Sequence, residues 1–110
     1  AARHHRDVLA LVAEALYYDA YFKNKDGNYK ASNEVVQKIA KDYGGHKEFA
    51  AKSLIVRAKN FRGLNDAYQA SYILESVLKN FKEFPEVVAE AKKELAAVKA
   101  EAAKSNSSVK

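Results

Sequence analysis

The chain has 110 residues, with 19 Lys and Arg against 14 Asp and Glu for a net charge of +5, and it contains no Cys and no Met. That length supports one domain with a single core. The missing cysteines exclude disulfides, thiol catalysis and Cys-ligated zinc and leave the compartment open, because cysteine-free chains suit cytosol and periplasm alike.

Five helices are predicted. The first, from about His5 to Asn24, is apolar most of the way round (Val8, Leu9, Leu11, Val12, Leu16, Tyr17, Tyr18, Tyr21, Phe22). Such a helix must be covered on two sides, by a preceding repeat or by a second copy of the chain. A turn follows at Asn24–Asn28, where Gly27 supplies the left-handed conformation that closes a helix. The second helix, about Tyr29 to Tyr43, presents Val35, Val36 and Ile39 and stops at Gly44-Gly45. The third, about His46 to Leu64, places Leu54, Ala58 and Phe61 on one face. Asn65 or Asp66 is suited to cap the fourth helix, whose buried set to about Phe81 is Ala70, Ile73, Leu74, Val77 and Leu78. Pro85 opens the fifth helix, where a missing amide hydrogen costs nothing. Its stripe of Val88, Ala91, Leu95, Val98 and Ala102 covers the end of the stack, with Glu83, Glu86, Glu90, Glu94 and Glu101 expected on the outer face among lysines. The helical domain is thus expected over residues 1–104, with 105–110, polar and unpatterned, as a disordered tail.

Two stretches repeat. Leu54-x3-Ala58-x2-Phe61-x3-Asn65 with Ala70-x3-Leu74-x2-Val77 makes one hairpin, and Gly27-x-Tyr29 with Ser32-x3-Val36-x2-Ile39 repeats its second half at an offset of 38 residues. The pattern resembles the tetratricopeptide repeat (TPR), a right-handed solenoid of stacked antiparallel helix hairpins. The offset, longer than the common ~34, and the Tyr43 and Phe81-x2-Phe84-Pro85 endings resemble the repeats of bacterial outer-membrane-assembly lipoproteins and Tol-Pal coordinators. The chain departs from the family at Gly44, where Pro is usual, at Lys23, near a usual aromatic, and at Asn65, in place of a turn Gly. The resemblance implies an all-α fold and a scaffold or adaptor role, with a periplasmic or envelope-associated setting favoured over a cytoplasmic one. Fewer than three repeats and the Ala1-Ala2-Arg3 start are read as the C-terminal part of a longer protein.

In that family the ligand groove is lined by the first helix of each hairpin. Lys52, Ile55, Lys59 and Arg62 share a sector of the third helix that matches those positions, and Tyr17 and Tyr21 offer the corresponding surface of the first. Three cations around an aliphatic anchor suit a carboxylate or an acidic peptide, and tyrosine joins an apolar ring to a polar tip. The competing readings are a solvated basic face and tyrosines used for packing between helices. The chaperone-tail carboxylate clamp of some TPR proteins is not matched. His4 and His5 point about 100° apart on a helix and make no shared metal site. With no phosphate loop, nucleophile elbow or metal motif, the chain is expected to be non-enzymatic, without cofactor or small-molecule substrate. No apolar run approaches the ~20 residues that cross a bilayer, so no membrane span is expected. Self-association through the first helix is the alternative function. Nucleic-acid binding by Lys38, Lys41, Lys47, Lys52, Arg57, Lys59 and Arg62 ranks below it, because the cations form no known reader motif.

Overall fold

The computed structural model describes residues 2–109, with side chains over 8–104. Five α-helices follow one another: α1 (Ala2–Lys25), α2 (Tyr29–Tyr43), α3 (Lys47–Gly63), α4 (Ala67–Asn80) and α5 (Pro85–Val109). All described regular structure is helical, as expected. Consecutive helices pack as antiparallel neighbours, and α3 also touches α1 and α5, so it is the one helix in contact with all the others. Side-chain pairs give directions. Tyr17 meets Phe49 and Asn24 meets Asn60, and in the same order Lys59 meets Glu90 and Arg62 meets Glu94, so α1, α3 and α5 run parallel, with α2 and α4 packed behind them.

The 38-residue offset is visible in burial. Ser32 and Ala70, Val36 and Leu74, and Ile39 and Val77 are all inaccessible, and so are Ala13 and Ala51, and Ala20 and Ala58. The two hairpins therefore obey the same register, with inaccessible alanines at matching positions of α1 and α3.

The turns repeat as well. Gly27 (φ 82°) and Asn65 (φ 64°) are the two left-handed residues among those described. In each turn the amide of the next residue donates back to the carbonyl five residues earlier, Asn28 to Lys23 and Asp66 to Phe61, both at 2.8 Å. This is the Schellman closure that satisfies the last carbonyls of a helix, and asparagine fills the left-handed position at low cost where glycine is absent. Asp66 Oδ1 then accepts from the Gln69 amide at 3.1 Å and caps α4.

Differences from the sequence reading lie mostly in α5. The helix continues to Val109 through Ser105–Ser108, where a tail was expected, since neither Gly nor Pro interrupts it; the side chains of 105–110 lie outside the described residues. Ala91 and Val98 are innermost as expected, but they are joined by Val87 and Glu94, while the expected Val88, Leu95 and Ala102 are half-buried. Leu54 and Phe61, assigned to the core, are half-buried against it, whereas Ile55, assigned to the groove, is buried.

Candidate functional site

A groove runs along α3, walled by α1 on one side and α5 on the other. Its apolar half is a cleft of about 130 Å³ lined by Tyr17 and Tyr21 of α1, Lys52, Ile55, Val56 and Lys59 of α3, and Glu86, Val87 and Glu90 of α5. It continues past Lys59 into a wider polar hollow bordered by Asn24, Arg62, Glu94 and Glu101. The six residues selected from the sequence therefore lie along one groove. The register explains why: Tyr17 and Tyr21 stand 38 residues before Ile55 and Lys59.

The chemistry differs from the expected basic face. Ile55 is part of the core cluster and forms the floor of the cleft. Tyr17 packs against Ala20, Val36 and Val56, and its ring centroid lies 6.4 Å from that of Phe49, so the ring both builds the fold and walls the cleft. Burial, and then the neighbouring Tyr18, Tyr21 and Glu90, push its hydroxyl pKa up, which keeps it a neutral donor.

Two of the three cations are taken by α5. Lys59 Nζ lies 3.0 Å from Glu90 Oε1. Arg62 holds Glu94 at 2.7 Å through Nη1 and clasps both oxygens of Glu101 through Nε and Nη2, at 2.8 and 2.7 Å. The fork matches a carboxylate plane, which is why arginine serves here. Its hydrogen bonds to Glu101 and Glu94 raise the Arg62 pKa further above an already high value, and Arg62 in turn holds the Glu101 carboxyl below the usual carboxylate range. Glu90, Glu94 and Glu101 thus all meet α3; Glu94 is buried at 8% exposure, while Glu90 and Glu101 remain open to solvent on their outer side. The reason is pairing, since a carboxylate can sit at a core edge when an arginine meets it there. Glu90 and Glu94, one turn apart, opposite Lys59 and Arg62, were the sequence signal for this seam.

Lys52 is differently placed. Its ammonium stands 3.9 Å from Glu48 on its own helix, at the outer limit of an ion pair, and over the rings of Phe49 and Tyr17 at 5.4 and 6.0 Å. It is the cation of the apolar half that α5 does not neutralise.

Sequence reasoning also missed a polar network beneath the groove. Asn60, with no exposed surface, accepts from Asn24 Nδ2 at 2.8 Å and donates from its own Nδ2 to Ser32 Oγ and Asn33 Oδ1, each at 2.8 Å. Ser32 Oγ donates to the Ala20 carbonyl at 2.7 Å, and no buried described side-chain atom lacks a partner. Asn60, the one Asn of α3, was the available clue.

Among the described residues no group of His, Asp and Glu is arranged to hold a metal, and no helix is long and apolar enough to cross a membrane. His4 and His5 fall outside the described side chains. In comparisons with known proteins, no family model, no curated protein and no solved structure matches the chain.

Proposed function

We propose that this chain is a non-catalytic protein-interaction module of the TPR-like type, a scaffold or adaptor that takes a peptide or protein segment in the groove along α3. The observation that carries this reading is the cleft itself: an apolar floor of Ile55, Val56 and Val87, tyrosine walls and the ammonium of Lys52, with Lys59 beside it held by Glu90, converge on a space of about 130 Å³. A dry cavity of ~150 Å³ accepts benzene, so this volume suits one large apolar side chain rather than a drug-sized ligand. Lys52 favours a carboxylate beside that anchor. Because Lys59 and Arg62 are already satisfied by α5, the ligand is an apolar anchor flanked by acid, and not a run of acidic residues. The 38-residue register, the paired left-handed turns and the parallel odd-numbered helices support the TPR-like assignment. A setting in bacterial cell-envelope assembly follows from the sequence resemblance.

Selection from a displayed library of random peptides, on the intact chain, tests the reading. Enriched peptides are expected to carry Phe, Tyr, Leu or Ile next to Asp or Glu and to be lost from a folded Lys52→Glu/Tyr21→Ala variant. Enrichment of the same peptides on both chains, or of none on either, overturns it.

A further inference from the structure

The outer face of α1 remains apolar after the chain has folded. Val8, Leu11, Tyr18 and Phe22 are exposed, Leu11 by 63% and Phe22 by 59%, and with Ala15 they recur at alternating steps of three and four residues, a seam rather than a scatter. Scattered apolar residues are ordinary on a surface, but a continuous line of them marks a contact.

The internal repeat says what kind of contact. Adding 38 residues to each position of this line gives His46, the N-cap of α3, and then Phe49, Ser53, Val56 and Asn60 along it, a line that meets α1 and α2 through Phe49, Val56 and Asn60. Phe49 meets Tyr17, Val56 packs on Ala20 and Val36, and Asn60 bonds to Asn24, Ser32 and Asn33. α1 therefore turns outward the face that α3 turns onto the preceding hairpin. One difference matters: Ser53 and Asn60 are replaced by Ala15 and Phe22, so the outward face has lost the polar groups of its internal counterpart.

We propose that the outer face of α1 is a docking surface for a further helical hairpin, seated on α1 as α1–α2 is seated on α3. The occupant has small, apolar residues where α1–α2 presents Asn24, Ser32 and Asn33, because Phe22 offers those groups no hydrogen bond. A second copy of this chain does not supply it. The hairpin surface of the required shape occurs twice in the chain and is covered both times, on α1–α2 by α3 and on α3–α4 by α5.

The test is a tandem chain in which residues 8–45 are duplicated directly ahead of Val8, which reproduces the natural spacing of 38. The native hairpin brings its polar set, so the tandem is made with Phe22 in the receiving α1 and, separately, with Phe22→Asn there. Docking in the native manner gives one unfolding transition for the Phe22→Asn tandem, with a denaturant m-value larger than that of the parent by roughly a third, in line with the chain added. Its added amides are protected from hydrogen exchange, and its midpoint lies above that of the Phe22 tandem. A merely adhesive face predicts the opposite order, since Asn removes apolar area. Two outcomes overturn the proposal: an added hairpin that stays unprotected in both tandems, or a Phe22→Asn midpoint below that of Phe22. Sedimentation of the parent chain supplies a third: concentration-dependent dimers abolished by Leu11→Glu/Phe22→Glu show that the face pairs with itself.

Discussion

Where α1, α2 and α3 meet, Asn60 is enclosed by Asn24, Ser32 and Asn33; where α3, α4 and α5 meet, the interior is Ala70, Leu74, Val77, Val87 and Ala91. The backbone plan is the same, down to the left-handed residue in each turn. Asn24, Ser32, Asn33 and Asn60 correspond in the 38-residue register to Arg62, Ala70, Ser71 and Val98, and these exchanges separate a junction that is satisfied only when four side chains agree from one that accepts a close-packed apolar set. The first junction defines register by hydrogen bonds. The second supplies most of the buried apolar contacts and moves its polar interactions to the rim, as the Arg62 seam.

The largest test of this contrast is Leu74→Ala, which empties the apolar junction. It is expected to cost about 2–5 kcal/mol in chemical denaturation, and Val36→Ala, with fewer atoms removed from a smaller cluster, is expected to cost less. Asn60→Ala attacks the other junction. Leaving Ser32, Asn33 and Asn24 without their shared partner costs about 1–3 kcal/mol. Hydrogen exchange should locate the loss in α1 and α2 and leave α4 unaffected.

Gly63 links the two regions. A Cβ there would lie 2.3 Å from Cζ of Tyr29, which reaches across from α2. Gly63→Ala is expected to cost about 1–3 kcal/mol by overpacking, and Tyr29→Ala should relieve most of it in a double-mutant cycle.

Arg62→Gln removes the rim. Glu94 then loses its partner at a core edge, and α5 loosens before the other helices in hydrogen exchange. The sign with pH follows from Glu101. Its pKa is depressed in the folded state, so its contribution is present above the ordinary carboxylate pKa and lost as pH falls through the lowered one. Wild-type thermal stability should therefore drop more steeply than that of Arg62→Gln on titration below the usual carboxylate range. Smallest is Asp66→Ala, which deletes the α4 cap for about 0.5–2 kcal/mol, read as a shift in denaturation midpoint.

The helices, their turns and the 38-residue register were legible because they depend on local chemistry: Gly27, Asn65, Asp66, Pro85 and apolar spacing. The groove was legible in its membership but not in its charge. α5 is rich in Ala, Glu and Lys, and Glu94 sits on its inner stripe against Arg62, a partner far back in the chain that the spacing along α5 does not reveal. Ile55 lies deeper in the groove than its sequence position suggests, for a related reason. The sector it shares with Lys52 and Lys59 looks outward from the hairpin, yet Val87 of α5 closes over its base. Asn60 gave no periodic signal, since one polar residue on a helix reads alike whether buried in a network or exposed.

The central position of α3 also bears on how the molecule comes apart. Stacks of repeats can fray from either end because each unit contacts only its neighbours. Here both hairpins share one helix, which supplies Val56 and Asn60 to the first junction and Ala51, Ile55 and Ala58 to the second. Neither half keeps its interior when α3 is lost, whereas loss of α1 and α2, or of α5, empties one junction and leaves the other in place, so the ends loosen separately and α3 is the last helix to go.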